Sequence, residues 1–236
     1  MANTYFQFKK FRVSQAKSGM KVTTDGCLFG AWTADLIAST RVDRILDMGS
    51  GTGLLSLMLA QKTEAQIDAI EADKNAFFES VDNVSASPWN HRIKCYHMNA
   101  DAFTPTDPYD VIICNPPFFT DSLQGQRAAK NRAIHTLDLT PSLLAQKTTQ
   151  WLSPKGQAFV MYPEREMNAF LKAVRPLNLF PHRLVKVYNN PQSVVFRCMA
   201  CLSSCPCEMR TEKLKIREEN GTYSPAFRYL LDKYYL

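Results

Sequence analysis

Arg44-Ile45-Leu46-Asp47-Met48-Gly49-Ser50-Gly51-Thr52-Gly53 is the stretch on which the fold turns. Its first five residues form a short, mostly apolar run that reads as a strand, and three alternate glycines follow. Leu54-Leu-Ser-Leu-Met-Leu-Ala then opens a helix. A strand that breaks on glycines and restarts as a helix belongs to an open α/β sheet, whose ligands bind outside the carboxyl ends of the strands. Glycine there lets the backbone approach a ligand that a Cβ would repel. The spacing is GxGxG rather than the GxGxxG that marks pyrophosphate binding, so a nicotinamide enzyme stays open at this point.

Downstream, short apolar runs alternate with amphipathic stretches, the pattern of strands joined by crossover helices. Strands are expected at 66–71, 93–98, 110–114, 156–162 and 184–188. Helices are expected at 77–84 and 164–174, with another from Thr140 to Trp151, where Thr140-Pro141 reads as an N-cap and first-turn proline. Ser193–Leu202 follows the sixth strand without a helix, so it pairs antiparallel with its predecessor. The expected fold is therefore α/β and Rossmann-like, a seven-stranded doubly wound sheet of five parallel strands and a terminal antiparallel pair. From Tyr223 the tail forms a short helix packed back on what reads as a single domain over 1–236.

Composition narrows the setting. No apolar run of about 18 residues exists, which argues against a membrane span, and the first ten residues lack the apolar core of a signal peptide. A cytoplasmic protein with reduced thiols is expected from the seven cysteines. Four of them crowd as Cys198-x2-Cys201-x3-Cys205-x-Cys207. On a strand, neighbours point to opposite faces, so core thiols and a turn are preferred over a zinc site and no metal is expected. The net charge of +6 is concentrated. Lys9, Lys10, Arg12, Lys17 and Lys21 form one acid-free stretch, and Arg127, Lys130 and Arg132 another. Such surfaces attract phosphate backbones, although a solvated charged face would look the same.

Three further elements carry chemistry. Glu71 ends the second strand, where a carboxylate accepts both hydroxyls of a ribose; Asp73 reads as a helix cap. Asp101, in Asn99-Ala-Asp101-Ala-Phe103, is placed to accept from an adenine amine, or simply to sit in a turn before Pro105. Asn115-Pro116-Pro117-Phe118 closes the fourth strand. Two prolines hold the backbone extended and remove two N–H donors. What remains is the Asn115 amide oxygen and the Pro116 carbonyl, acceptors for the two hydrogens of a planar amine. Phe118, helped by Phe119, offers a face for a flat substrate.

Taken together, Asp47-x-Gly49-x-Gly51-x-Gly53, Glu71, Asp101 and Asn115-Pro-Pro-Phe resemble the class I S-adenosylmethionine-dependent methyltransferases with the (Asp/Asn/Ser)-Pro-Pro-(Tyr/Phe) signature. Phe8-Lys-Lys-Phe-Arg-Val-Ser-Gln and Met20-Lys-Val-Thr-Thr-Asp-Gly-Cys-Leu-Phe-Gly-Ala-Trp32 are similar to the bacterial valine-tRNA adenine methyltransferases, which modify the adenosine 3′ of the anticodon. Asn220-Gly-Thr-Tyr-Ser-Pro-Ala-Phe at the other end fits the same family, so the resemblance spans the chain.

That resemblance implies S-adenosylmethionine as cofactor, bound by Asp47, Gly49, Gly51, Gly53, Glu71, Asp101 and Thr24. It implies residues 1–41 as an extension packed over the cofactor and RNA side, with Met20 to Asp25 folding over the pocket. Catalysis falls to Asn115, Pro116 and Phe118, and RNA contact to Phe119, Arg127, Lys130 and Arg132. The expected partner is the anticodon stem-loop of tRNA, met by a monomer away from any membrane. Phenylalanine at 118 departs from the tyrosine of many relatives. Two alternatives remain: a glutamine methyltransferase acting on a protein, and a non-catalytic RNA-binding protein that holds S-adenosylmethionine.

Overall fold

The computed structural model describes residues 3–117 and 139–236. Period-two alternation along the strands sorts the core into two layers. Ile45, Ile113 and Met161 point to one side, and Leu46, Ile112 and Val160 to the other. Each side is closed by helices, because a sheet apolar on both faces needs both covered. On the first side lie α1 (Thr24–Ile37), α2 (Leu54–Ala60) and α3 (Lys74–Ser85), with the terminal α6 (Pro225–Leu231). On the second lie α4 (Pro141–Trp151) and α5 (Glu164–Val174).

Between them runs an eight-stranded sheet in the order β10-β8-β9-β7-β6-β3-β4-β5. Its strands are β3 (Arg44–Met48), β4 (Gln66–Glu71), β5 (Ile93–His97), β6 (Tyr109–Cys114), β7 (Leu152–Tyr162), β8 (Phe180–Tyr188), β9 (Val195–Ser203) and β10 (Arg210–Lys215). The first five are mutually parallel, as expected. β9 is antiparallel to β8, as expected, and is also inserted between β7 and β8. The eighth strand corrects the expected count of seven. β10 joins the edge parallel to β8, and of its six residues only Leu214 is buried. Polar edge strands carry little apolar signal.

A separate hairpin, β1 (Tyr5–Gln7) with β2 (Arg12–Ser14), is anchored by Phe8, Phe11 and Val13, which enter the first core layer. The Lys9 N–H donates to the Tyr234 carbonyl at 2.8 Å, tying this hairpin to the tail. The two expected caps, at Thr140 and Asp73, are present, and Ser224 adds a third. Thr140 accepts from Leu143 N–H at 3.2 Å, Asp73 accepts from Ala76 N–H at 2.8 Å, and Ser224 accepts from Phe227 N–H at 3.1 Å. Such caps satisfy helix N–H groups that have no partner within the helix.

β9 carries Cys198 and Cys201 into different layers, Cys201 beside Met199 and Cys198 beside Ala200 and Leu202. Burial pushes the Cys198 thiol up to about 11 and the Cys201 thiol up to about 12. The strand therefore separates two of the four clustered thiols, while Cys205 and Cys207 are exposed in the turn beyond. No helix among the described residues is long and apolar enough to cross a membrane.

Candidate active site

Strand order reverses between β3, which leads on to β4 and β5, and β6, which leads on to β7. A crevice opens at the carboxyl ends of the strands flanking such a reversal. Here it is a cavity of about 790 Å³ lined by Gly49, Ser50, Gly51, Glu71, Asp101 and Asn115 among others.

The glycine turn is built by backbone geometry. Gly49, Gly51 and Gly53 have φ of 75°, 57° and 79°, values that L side chains rarely adopt. A Cβ at Gly49 or Gly51 would project into open space, so the turn leaves room for a ligand. Gly53 does something else. It starts α2, and a Cβ there would meet Ser80 of α3 at 3.4 Å. It packs helix on loop and does not line the cavity.

Asp47 lies beneath the turn, fully buried. One carboxylate oxygen accepts from Ser56 N–H at 3.0 Å and Ser56 Oγ at 2.6 Å, which pins the start of α2. Burial still pushes its pKa up to about 7, against the lowering effect of those bonds. Glu71 accepts from Gly51 N–H and Asp73 N–H, each at 2.8 Å. Burial raises its pKa too, opposed by these two donors. Asp101 sits in a turn after β5, with Lys147 Nζ 3.9 Å from its carboxylate.

The N-terminal segment forms part of the wall. Ser18, Gly19, Met20, Lys21 and Thr23 line the cavity. They are held there from α3: Glu79, 3% exposed, accepts from Lys17 N–H at 2.6 Å and Ser18 N–H at 2.7 Å. One turn along, Asn83 accepts from Ser14 N–H at 2.7 Å and donates to Ser14 O at 3.0 Å and Thr52 O at 2.9 Å. One helix face thus stitches the N-terminal strap to the glycine turn. Thr23 is the N-cap of α1 and lines this cavity, whereas Thr24 lines a second one.

That second cavity, about 760 Å³, shares Met20, Thr23, Asn115 and Pro117 with the first. Asn115 therefore stands on the wall between them. Its Oδ1 is buried and has no hydrogen-bond partner among the described residues. Pro116 is buried beside it. A residue so placed borders both cavities, and a turn of its side chain would bring the unpaired oxygen to a group entering from one while a second group waits in the other.

Residues 33–172 match the family model of the methyltransferase small domain. A tRNA1(Val) (adenine(37)-N6)-methyltransferase of Parabacteroides distasonis is 36% identical over 239 residues, covering 100% of this chain and 99% of that protein. A protein of the same name from Vibrio cholerae is 36% identical over 237 residues, covering 100% and 97%. The chain belongs to the tRNA1(Val) (adenine(37)-N6)-methyltransferase family.

Solved structures agree on the fold of this methyltransferase. A predicted O-methyltransferase from Agrobacterium tumefaciens aligns with a TM-score of 0.68 at 15% identity, over 88% of this chain and 95% of that one. The human methyltransferase 10 domain containing protein aligns at 0.52 with 20% identity, over 80% and 87%. The family match over residues 33–172 spans the GxGxG turn, and the nicotinamide alternative falls.

For the methyltransferase site, the structure brings Gly49, Gly51, Glu71, Asp101 and Asn115 to one cavity, with Asp47 and Gly53 supporting it from below. Phe118, Phe119, Arg127, Lys130 and Arg132 lie outside the described residues. Sequence reasoning missed Met98 and Asn99 after β5 and Leu139 and Leu143 around the start of α4, all of which line the same cavity. Asn99 opens the Asp101 stretch but was given no role there, and the other three belong to no motif. The short apolar spacing of 139 and 143 at the start of a helix was the one available signal.

Proposed function

We propose that the protein transfers a methyl group from S-adenosylmethionine to the exocyclic amine of an adenosine in tRNA, the one immediately 3′ of the anticodon in valine tRNA. Asn115 carries this reading. A buried acceptor left unpaired costs about 1–3 kcal/mol, and Oδ1 of Asn115 is such an acceptor, on a residue that lines both cavities. A planar amine arriving in the second cavity would relieve it. The name and full-length likeness of the relatives support tRNA and adenine as the substrate class.

S-adenosylmethionine supplies a methyl group already activated on a sulfonium. The first cavity suits it: open space above Gly49 and Gly51 admits close approach, and the Glu71 carboxylate faces the cavity as an acceptor for ribose hydroxyls. Asp101 would take the adenine amine, with Asp47, Gly53 and Thr24 shaping the surround.

The chain's own work is positioning, which suffices when the donor is activated. Asn115 Oδ1 and the Pro116 carbonyl accept the two amine hydrogens and turn the nitrogen toward the methyl group. Phe118 and Phe119 stack on the extruded base, and a loop base costs less to extrude than a paired one. Arg127, Lys130 and Arg132 hold phosphates of the anticodon stem-loop, and residues 1–41 cover the cofactor and RNA side. The protein acts as a cytoplasmic monomer.

Methyl-labelled donor incubated with bulk tRNA and with a protein extract tests this. Label in the RNA fraction is expected. Label in protein alone would favour a glutamine substrate, which the same Asn-Pro-Pro logic serves.

A further inference from the structure

The far wall of the second cavity is made by the β8–β9 turn and the loop after β10, through Asn189, Asn190, Arg217 and Tyr223. This loop includes part of the C-terminal stretch Asn220 to Phe227 that the sequence singles out and the chemistry above leaves unused. We infer that Arg217, held against the Tyr223 ring at this wall, is an RNA-contacting residue that clamps the nucleotide beside the methylated adenosine. The inference rests on the proposed function.

The loop is built to hold that guanidinium still. Arg217 and Tyr223 form an antiparallel bridge, Glu218 N–H donates to Thr222 O at 2.9 Å, and Gly221 turns the chain at φ 80°. Asn220 Oδ1 accepts from Thr222 N–H at 3.1 Å and from Thr222 Oγ1 at 2.7 Å. Arg217 N–H donates to Asn189 O at 3.0 Å, joining the loop to the β8–β9 turn. The Tyr223 ring stacks on buried Phe227 at 4.5 Å, and the Arg217 guanidinium lies 4.4 Å from the Tyr223 centroid.

Charge separates Arg217 from the other arginine of this cavity. Arg197 Nε donates to buried Asp25 at 2.8 Å, so its charge is met within the wall. Arg217 is exposed, and its Nη1 donates to the Gly221 carbonyl at 2.6 Å; no carboxylate among the described residues pairs with it. A planar cation already ordered on a ring loses little freedom on binding. Its remaining face stacks on an unstacked base, and its free N–H groups suit a phosphate. With the amine of the target adenosine at Asn115, the unit that reaches this wall belongs to the same RNA strand.

Methylation kinetics of Arg217→Ala and Arg217→Lys on tRNA, with S-adenosylmethionine calorimetry and melting curves, test the clamp. Arg217→Ala should raise the KM for tRNA about tenfold, the range for a lost stacking contact, with a smaller change in kcat. The dissociation constant of S-adenosylmethionine should stay put. The log–log salt slope of tRNA binding should flatten by about 0.7–0.9. Arg217→Lys should keep the salt slope and recover only part of the KM. If Arg217→Ala matches the wild type in KM and salt slope, the clamp is wrong while the proposed function stands. A joint fall in melting temperature and S-adenosylmethionine affinity would make Arg217 a loop brace and equally overturn it. A wild-type protein that leaves tRNA unmethylated would sink the proposed function first, and the clamp with it.

Discussion

The Glu71 carboxylate accepts a hydrogen bond from the Gly51 N–H at 2.8 Å. The residue read as a ribose acceptor thus also holds the turn that the cofactor would approach, and its second oxygen is bonded to Asp73 N–H. Glu71→Ala should lose both functions and weaken S-adenosylmethionine binding tenfold or more, on the order of one charge-assisted hydrogen bond. Glu71→Gln keeps one acceptor and should fall between. Calorimetry on the apo-protein checks this without RNA. An unchanged dissociation constant for Glu71→Ala would move the ribose role elsewhere, and Asp73 is already engaged as a helix cap.

Asp47 makes the apo-protein sensitive to pH. Its pKa rises by burial from an ordinary 3.8 to about 7, so between those values the folded protein holds a proton that the unfolded chain has released. Its contribution to stability is present below about 3.8 and is lost as pH rises through about 7. Asp47→Asn cannot ionise and retains an acceptor for Ser56. The melting temperature of the wild type relative to this variant should therefore fall as pH rises from about 4.5 to 7.5, across the window of that shift. A constant difference would mean that Asp47 stays charged in the folded state.

Glu79 and Asn83 hold the N-terminal strap against the glycine turn. Glu79→Ala removes the acceptor for Lys17 and Ser18 N–H groups. Losing it should loosen the 15–23 segment and weaken S-adenosylmethionine binding about tenfold, equivalent to about 1.4 kcal/mol. Limited proteolysis should cut there faster than in the wild type. A protected strap with unaltered affinity would show that the cavity wall stands without this contact.

The segment carrying Arg127, Lys130 and Arg132 is read from charge alone. Alanine at all three should flatten the log–log salt dependence of tRNA binding by roughly two units, leaving S-adenosylmethionine affinity unaffected. If the slope does not move, these side chains form an ordinary solvated face, and the stretch from Lys9 to Lys21 becomes the next candidate for the RNA surface.

Within the parallel sheet, β3, β6 and the second half of β7 were legible because they are apolar on both faces and break on glycine or proline. β10 was not, since an edge strand with one buried residue looks like loop. The insertion of β9 between β7 and β8 was equally hidden, because periodicity reports pairing partners only through connection length. Around the first cavity, Glu71 and Asn115 were legible from their places at the ends of β4 and β6, and Asp101 from the turn after β5. Thr24 and Gly53 were expected at the cofactor, but Thr23 rather than Thr24 lines the first cavity, and Gly53 packs against Ser80. Asp25 and Arg197 are 172 positions apart, and only the folded chain brings them into contact.

Asn115 decides the central claim. Nucleoside mass spectrometry of tRNA incubated with S-adenosylmethionine and either wild-type or Asn115→Ala protein measures it most directly, alongside calorimetry of cofactor binding. The wild type should produce N6-methyladenosine in valine tRNA at the adenosine 3′ of the anticodon. Asn115→Ala should bind S-adenosylmethionine almost normally and form the product roughly 100-fold more slowly or worse, as for loss of a preorganised polar contact. Near-normal methylation by Asn115→Ala, or wild-type tRNA free of methylated adenosine, would contradict it.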